Sequence, residues 1–222
     1  MIELLKLSKS FGNKQITREL DLTIEDGEFL AIIGRSGEGK SVLLKQIIGL
    51  IQPTSGKVII DGQDTTRLKG KQREEIFKKC GYVFQFAALL DSLNVFENIA
   101  LPQLEKGVSP KILMPIVLEK IRSVGLKDDV LKKMPAELSG GMKKRVGLAR
   151  TLMLSPKILL YDEPTTGLDP ITTRVIHELI KGTHEKLKAT TVVISHDVEI
   201  FKYAKTVAML HEGKIVYKGD SR

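Results

Sequence analysis

The sequence predicts an α/β fold in which helices cover a buried parallel sheet. Three short apolar runs indicate strands of this sheet, at residues 29–33, 158–161 and 191–194. Runs that are apolar throughout are typical of parallel strands buried on both faces, whereas alternating patterns belong to sheets with one wet face. From about Asp91 to Ser155, between the first run and the second, strand-like patterns disappear and apolar residues recur at helical spacing. This change indicates a helical insertion within an α/β core.

The elements around the first strand follow from local patterns. Residues 2–7 and 20–24 indicate short strands that are separated by a turn at Gly12. Apolar side chains at helical spacing predict a helix over residues 40–50, and a further strand is expected at residues 57–60. The N-terminal part of the chain therefore mixes strands with one helix that directly follows a buried strand.

The insertion divides one domain rather than separating two. Helical periodicity is found at residues 95–100, 111–124 and 142–154. The chain shows no repeat, low-complexity tract or flexible linker at either end of this region. We expect a single domain over residues 1–222, with a core formed by residues 1–86 and 156–222 and a helical insertion at residues 87–155.

Composition excludes some classes of function. Hydrophobic residues make up 42% and charged residues 28% of the 222 residues, so a packed core is expected and disorder is not. The net charge of +8 suits a polyanionic ligand or simply a lysine-rich surface. Aromatic residues are only 5% and Trp is absent, which disfavours binding of single-stranded nucleic acid by base stacking. The one cysteine, Cys80, is expected to be a buried apolar side chain.

Membrane-directed segments are not expected. Met1 leads directly into a strand-like stretch, which does not fit a signal peptide. The apolar runs are far shorter than the roughly 18 residues that span a bilayer. A membrane role would therefore need a partner or a surface contact.

The strongest motif follows the first buried strand directly. It matches G-x-x-x-x-G-K-[ST] at every fixed position, and its residues are Gly34, Arg35, Ser36, Gly37, Glu38, Gly39, Lys40 and Ser41. Glycines let backbone N–H groups curl around phosphate oxygens, and the following helix directs its N-terminal dipole at the same anion. We expect Lys40 to reach the β- and γ-phosphates and Ser41 to offer its hydroxyl to Mg²⁺. The motif predicts nucleotide binding.

Two acids and a histidine follow the other buried strands. Asp162 and Glu163 end the second run, and His196 lies just after the third. Ligands of parallel sheets bind at the carboxyl ends of the strands, so these side chains are expected beside the phosphate loop. We expect Asp162 to hold the Mg²⁺ shell, Glu163 to act as the general base on the attacking water, and His196 to contact the γ-phosphate.

The remaining histidines suggest no function. His177 and His184 lie in a helical pattern and His211 lies near a turn. All three are interpreted as ordinary surface or boundary residues.

The segment Leu138-Ser139-Gly140-Gly141-Met142 makes the resemblance specific. It is similar to the L-S-G-G-Q signature of the ABC ATPase family, with methionine in place of the final polar residue. The other motifs stand in that family's order from Phe11 to His196, so the resemblance covers nearly the whole chain. It implies a P-loop NTPase (RecA-like) core with an antiparallel β subdomain and an inserted α-helical signature subdomain.

The resemblance also implies roles for individual residues. Phe11 would stack on adenine, and Gln85 would link Mg²⁺ and water to the helical insertion. Ser139, Gly140 and Gly141 would bind the γ-phosphate of ATP held by a second copy, with Asp169 at the dimer interface. The ligands implied are ATP and Mg²⁺, the latter held by Ser41, Gln85 and Asp162, and the assembly implied is a homodimer in the ATP state.

A narrower resemblance concerns the residues from Phe84 to Pro102, Met142 and the run Asp169-Pro170-Ile171-Thr172. These are similar to the Mla-type subfamily, whose ATPases serve phospholipid transport with mammalian-cell-entry (MCE) domain proteins. The implied partners are two permease chains, an MCE-domain protein and a small regulatory subunit, and no nucleic acid. The implied location is the cytoplasmic face of the inner membrane. Relatives usually extend further than Arg222, with a tail that helps to hold the dimer or the regulatory subunit.

Other functions remain as alternatives. An ABC ATPase could serve another cargo, in lipoprotein release, solute import or a cell-division complex. A soluble ABC ATPase acting on DNA or ribosomes would need a long coiled-coil insertion or a second cassette, for which 222 residues leave no room. A P-loop nucleotide kinase would not need the segment at residues 138–141.

Overall fold

The computed structural model describes residues 1–221 and confirms the predicted α/β fold. The ten strands in this part of the chain are β1 Ile2–Phe11, β2 Lys14–Ile24, β3 Phe29–Ile33, β4 Ser55–Ile60, β5 Gln63–Asp64, β6 Cys80–Val83, β7 Ile158–Asp162, β8 Thr190–Ile194, β9 Thr206–His211 and β10 Lys214–Asp220. The six α-helices described are α1 Lys40–Ile47, α2 Gly70–Phe77, α3 Val95–Leu104, α4 Pro110–Ser123, α5 Gly140–Leu152 and α6 Pro170–Leu187. Short 3₁₀ turns at Asp128–Lys132, Pro135–Glu137 and Val198–Lys202 complete the chain.

The main sheet has six strands in the order β10-β9-β3-β8-β7-β6. All neighbours in it are parallel except the β9–β10 pair, which is antiparallel. Strands β7 and β8 are buried along their whole length, as the continuous apolar runs predict. Because β3, β8 and β7 are neighbours, the segments that follow them meet at one edge of the sheet.

A second sheet, antiparallel and four-stranded, has the order β2-β1-β4-β5. Helix α1 lies between the two sheets, and its side chains Leu43, Leu44 and Ile47 are fully buried in one core with residues of both. Leu30 of β3 belongs to that core, whereas its neighbour Ala31 belongs to the core on the opposite face. This division follows from the alternation of side chains along a strand.

The helical region packs against that opposite face. Helices α3, α4 and α5 share one apolar core with Leu159 and Tyr161 of β7. Helix α3 begins with a capping box in which Asn94 and Glu97 exchange side-chain and backbone hydrogen bonds. Asn98, fully buried, donates to three carbonyl oxygens of the preceding turn, at residues 90, 93 and 94. These polar contacts fix the segment that leads from the sheet into the helices.

Several elements differ from the prediction. Helix α1 ends at Ile47, three residues before the predicted end. Helix α2 and strands β5, β6, β9 and β10 were not predicted. Charged residues interrupt the pattern in α2 and β10, and β5 and β6 have only two and four residues. No helix within residues 1–221 is long and apolar enough to cross a membrane.

Two predictions about single side chains have opposite outcomes. Cys80 is buried as expected, and burial raises the pKa of its thiol to about 12. The interpretation of His177 as a surface or boundary residue is wrong, because its side chain is fully buried. His177 lies on the same face of α6 as Thr173, Ile176 and Ile180, which are also buried. The helical period places it inward despite its polar ring.

Candidate active site

The phosphate loop joins β3 to α1, as its sequence predicts. Two glycines allow close approach of the backbone to its surroundings. Gly39 has a φ of +94°, and a Cβ there would lie 2.3 Å from Cγ2 of Ile16. At Gly34 a Cβ would lie 2.4 Å from the carbonyl oxygen of Leu210. The loop is therefore packed against the β1–β2 hairpin on one side and β9 on the other, and no larger residue fits at either glycine.

Lys40 is buried at the start of α1 and points into the loop. Its Nζ donates to the carbonyl oxygens of Gly34 and Arg35, each at 2.8 Å. Burial lowers the pKa of Lys40, while the negative charges of Glu163, Glu38 and Asp162 partly oppose this shift. The ammonium group thus lies among carboxylates and loop carbonyls, at the place where the motif predicts phosphate binding.

The remaining loop residues differ in exposure. Arg35, Ser36 and Gly37 are exposed at the tip of the loop. Glu38 turns away from the tip, and its Oε1 lies 2.9 Å from Nδ1 of His211. His211 thus contacts the phosphate loop, which its position near a turn did not suggest.

Asp162 and Ser41 form a first polar cluster. The hydroxyl of Ser41 donates to Oδ1 of Asp162 at 2.6 Å, and the phenol of Tyr82 donates to Oδ2 at 2.7 Å. Burial and the Asp162 carboxylate both raise the pKa of Tyr82, so the phenol remains a donor. Both carboxylate oxygens of Asp162 are therefore held in place, one by the loop and one by strand β6.

Glu163 is the centre of a second cluster. Its Oε2 accepts from Nε2 of Gln85 at 2.9 Å and from the hydroxyl of Thr166 at 3.1 Å. Its Oε1 lies 2.6 Å from Nε2 of His196. The backbone of Glu163 is left-handed, with φ +47°, and its N–H donates to the carbonyl of Ile194 at 3.0 Å. The carboxylate is thus fixed by three side chains from three different segments.

Four of the predicted site residues lie in these two clusters together with Glu163, but one of them is not in the expected cluster. Ser41 and Asp162 are joined directly, but Gln85, which was expected to share a metal with them, is bonded to Glu163 instead. His196, which was expected to contact the γ-phosphate, lies against Glu163. The site therefore has two parts. Ser41 and Asp162 form a hydroxyl–carboxylate pair beside the phosphate loop, and Glu163 forms a separate group with Gln85 and His196.

Phe11 lies on the other side of the phosphate loop. It ends β1 in the hairpin whose Ile16 packs on Gly39, and its ring is half exposed. The ammonium of Lys9 lies 4.9 Å from the ring centroid. Phe11 therefore has an exposed ring on the hairpin that packs on the loop, and the Lys9 ammonium forms a cation–π contact with this ring.

The signature segment forms the N-terminus of α5. Ser139 caps this helix, since its hydroxyl accepts from the N–H of Met142 at 3.3 Å. Ser139 and Gly140 are exposed, whereas Gly141 is buried against Thr172 of α6. A Cβ on Gly141 would lie 2.5 Å from the methyl group of Thr172. The exposed turn is therefore held by contact with α6.

Asp169 caps α6 beside this contact. Its carboxylate accepts from the N–H groups of Ile171 and Thr172, both at 3.0 Å, and from the hydroxyl of Thr172 at 2.6 Å. These hydrogen bonds, that from the Thr172 hydroxyl first, lower the pKa of Asp169. Thr172 thus links Asp169 to the signature segment, because it donates two hydrogen bonds to the Asp169 carboxylate and packs against Gly141.

Three residues of the site were missed by the sequence interpretation. Tyr82 bonds Asp162, Thr166 bonds Glu163, and Lys144 of α5 donates to the carbonyl of Thr166 at 2.6 Å. Burial lowers the pKa of Lys144 to about 8. Lys144 lies one helical turn after Gly140 and the signature, which is the only signal in the sequence that could have suggested it. It connects the signature helix to the loop that follows Glu163.

Comparison with known proteins identifies the family to which this chain belongs. Residues 17–166 match the family model described as "ABC transporter". A dimeric ATP-binding cassette solved in a post-hydrolysis state with ADP and Pi superimposes with a TM-score of 0.91 and is 33% identical; the match covers 100% of this chain and 99% of that one. The match over both full chains confirms the P-loop fold with an inserted helical region.

The relatives of this chain are named for different cargoes. The probable ribonucleotide transport ATP-binding protein Mkl of Mycobacterium tuberculosis is 44% identical over 93% of this chain, which spans only 56% of Mkl. The phospholipid transport ATP-binding protein MlaF of Haemophilus influenzae is 40% identical, with 100% of this chain and 84% of MlaF covered. The methionine import protein MetN of Vibrio vulnificus is 41% identical over 99% of this chain and 65% of MetN.

These relatives confirm the expected resemblance to Mla-type ATPases but differ in cargo. The match of the family model and the likeness over the full length of a solved cassette agree with the phosphate loop, the acid pair and the signature described above. The chain belongs to the ABC transporter family and contains that family's ATPase domain.

Proposed function

We propose that this chain hydrolyses ATP as a homodimer to drive a membrane transporter for phospholipids. The observation on which the hydrolytic part rests is the position of Glu163. Its carboxylate lies next to the Ser41–Asp162 pair and is oriented by Gln85, His196 and Thr166. A carboxylate held in this way beside a phosphate loop can orient and deprotonate a water molecule.

The loop fits the phosphates of a nucleotide. The two crowded glycines leave backbone N–H groups unobstructed by side chains, and the first turn of α1 contains no acidic residue. Lys40 would exchange its carbonyl partners for the β- and γ-phosphate oxygens. Phe11, half exposed beside the loop, would stack on the adenine ring.

The Ser41–Asp162 pair fits Mg²⁺. A hydroxyl and a carboxylate oxygen 2.6 Å apart are the hard oxygen donors that this ion prefers. Bound Mg²⁺ would neutralise charge on the phosphate oxygens during the reaction. Ser41 and Asp162 would hold it, Asp162 through water, and Gln85 would reach the same water from its place beside Glu163. Tyr82 would fix the orientation of the Asp162 carboxylate.

The hydrolytic step follows from these positions. Glu163 would accept a proton from the water while the water oxygen forms a bond to the γ-phosphorus. The bond between that phosphorus and the β–γ bridging oxygen breaks, so that ADP and phosphate leave. His196, in contact with Glu163, would also contact the γ-phosphate. Lys40 would stabilise the negative charge that develops on the leaving oxygen.

The signature points to a shared site. Ser139 and Gly140 present an exposed helix N-terminus, and the first turn of this helix contains no acidic residue. We propose that it receives the γ-phosphate of ATP held by a second copy, with Asp169 at the interface. The dimeric form of the solved cassette, at 33% identity over the full length, supports this assembly.

Two observations support phospholipid as the cargo. The segment from Phe84 to Pro102 and Met142 resemble the Mla type, and MlaF is 40% identical over 100% of this chain. Methionine import is the second candidate, since MetN is 41% identical over nearly the whole chain.

An exposed apolar surface near Gln85 supports contact with a membrane protein. Phe86 is 81% exposed, and Phe84 and Leu90 nearby are also exposed. Leu89 and Leu93 are half-buried, while Val95 and Ile99 are fully buried core residues. We propose that the exposed members receive a short helix of a permease, which would hold the chain at the cytoplasmic face of the inner membrane. An MCE-domain protein and a small regulatory subunit would complete the assembly.

Hydrolysis is tested with Glu163→Gln. The amide keeps the size of the side chain and one acceptor oxygen for Gln85 and Thr166, but it cannot accept the proton. We expect kcat to fall about 1,000-fold or more, with ATP affinity nearly unchanged and a stable dimer in ATP. Glu75→Gln, which changes an exposed carboxylate of α2 outside the site, serves as the control. Near-normal hydrolysis by Glu163→Gln would remove Glu163 from the role of base.

The cargo is tested by purifying the tagged protein from its native membranes in mild detergent and identifying what accompanies it by mass spectrometry. A multi-span permease with an MCE-domain protein is the expected result. Phe86→Ser should lose the permease while retaining ATP-dependent dimerisation. A permease of the amino-acid import type would support the MetN-like function instead. Recovery of the chain without any membrane protein would contradict both.

A further inference from the structure

Three side chains of the kind that bind metal ions lie together on α6 and on the turn that follows His196. One ring nitrogen of His177 and one carboxylate oxygen each from Asp197 and Glu199 lie within 4.8 Å of one another. His177 belongs to α6, and the two acids belong to the turn that follows β8. The proposed hydrolytic mechanism uses none of the three.

His177 is the unusual member of this cluster. Its side chain is fully buried, and neither ring nitrogen has a hydrogen-bond partner in the described part of the chain. A buried polar atom without a partner destabilises a folded protein, so such atoms call for an explanation. The ring of Tyr203 packs against it at 5.6 Å between centroids, but the Tyr203 hydroxyl donates to Glu178 instead.

The two acids are already oriented. Asp197 accepts from the N–H of Glu199 at 2.9 Å, which caps the short turn and fixes the Asp197 carboxylate. Glu199 has Lys202 as a partner at 3.1 Å, an exposed pair that is weak in water. Both acids are half-buried and line an open pocket together with Arg174 and His196. The cluster can therefore be reached from solvent.

Burial lowers the pKa of His177, with the charges of Asp197, Glu199 and Glu178 opposing this shift. The neutral imidazole is the form that binds metals, and its nitrogen is then a free electron-pair donor. A neutral ring with no partner, facing two carboxylates, has the donor set of transition-metal sites rather than of Mg²⁺ or Ca²⁺ sites.

We propose that His177, Asp197 and Glu199 bind a divalent transition-metal ion of the Zn²⁺ class. Such an ion holds nitrogen and oxygen ligands at about 2.0–2.2 Å, which requires the three ligand atoms to close by about an ångström. Glu199 can supply this movement, because its side chain is long and its partner Lys202 is exposed. A fourth ligand position would face the pocket. The ion would join α6, which begins next to Asp169, to the segment of His196.

The test is a calorimetric titration of the purified chain with ZnCl₂ in excess MgCl₂ and without nucleotide. We expect saturable binding of one ion per chain with micromolar or lower Kd, and a rise in Tm on addition of Zn²⁺. His177→Leu should weaken this binding at least about 100-fold while leaving cooperative unfolding intact, because leucine suits the apolar surroundings. Asp197→Asn, which retains the cap, should weaken it about tenfold or more.

Two controls separate this site from other histidines. His184→Gln, on the same helix, should bind Zn²⁺ as the original protein does. His196→Gln should also retain the ion, which separates the cluster from binding between His196 and Glu163. Absence of saturable binding, unchanged affinity in a folded His177→Leu variant, or equal weakening by either control would each overturn the proposal.

Discussion

Helices α1 and α5 both begin with a glycine-containing turn and a lysine, yet the two N-termini differ in how far the chain completes them. Around α1, Lys40 is buried and the acids that follow β7 lie close by. At α5, Ser139 and Gly140 are exposed and the nearest acid pair is reached only indirectly, through Lys144 and Thr166. In the proposed mechanism, the first N-terminus would form a complete phosphate site within one chain, whereas the second would need ATP that is bound to another copy.

The largest effect should come from the completed site. We expect Lys40→Ala to weaken ATP binding at least about tenfold and to reduce kcat/KM about 1,000-fold, because a buried positive charge at the phosphates is lost. Nucleotide titration of the isolated chain and steady-state hydrolysis measure the two effects. Lys45→Ala, in the same helix, is the control. Unchanged affinity together with an unchanged rate would exclude Lys40 from the site.

The exposed site should behave differently. We expect Ser139→Arg to reduce hydrolysis about 100-fold by obstructing the signature turn, while ATP affinity of the isolated monomer stays within about twofold. Ser139→Ala loses the helix cap at a cost of about 1 kcal/mol but leaves the turn open, so it controls for helix stability. If Ser139→Arg also abolished ATP binding by the monomer, the comparison between the two helices would fail.

A smaller effect is expected from Tyr82→Phe. The change removes one of the two donors to Asp162 and leaves Oδ2 without its partner. Loss of a hydrogen bond to a charged group costs about 1.5–3 kcal/mol, part of which water can replace, so we expect a loss of about three- to tenfold in kcat. The readout is the Mg²⁺ concentration for half-maximal rate, which should rise. A rate loss without any shift in Mg²⁺ dependence would contradict a role in orienting Asp162.

The smallest expected effect is a dependence of folding stability on pH that arises from Lys144 of α5. Because burial lowers the pKa of Lys144 to about 8, the unfolded chain binds more protons than the folded chain from about pH 8 up to the ordinary lysine pKa. Stability therefore rises with pH in that window. Relative to Lys144→Met, the original protein should gain about 1–3 °C in Tm between pH 7 and pH 10, a small shift because Lys144 is partly exposed.

Thermal unfolding at several pH values measures this difference, with Lys143→Met as the matched change of charge on the same helix. A Tm difference between the original protein and Lys144→Met that stays constant across the window would contradict the burial of a charged amine at this position.

The sequence was most informative where one local pattern determines the structure. The strand, loop and helix at residues 29–47 follow from an apolar run, two glycines that tolerate no side chain, and helical periodicity. The start of α5 shows the limit of periodicity. The apolar pattern suggested Met142, whereas the Ser139 cap begins the helix at Gly140.

Contacts between distant segments could not be predicted in the same way. Tyr82 meets Asp162 because β6 pairs in parallel with β7 in a register that places Tyr82 opposite Leu160. Neither the strand pairing nor its register can be predicted from the sequence of a strand of four residues. Similarly, the burial of His177 depends on which face of α6 packs inward, and charged residues on both sides of it obscured that face.

The buried Cys80 thiol has a practical consequence for measuring the proposed dimer. With a pKa of about 12, almost none of it is thiolate at neutral pH, and maleimide or spin-label reagents attack the thiolate. Cys80 is the only cysteine in the sequence. A cysteine introduced at an exposed position outside the site, such as Ile112 or Leu50, could therefore be labelled selectively without removing the native one. Distances between labels on two copies would then follow the opening and closing of the assembly directly.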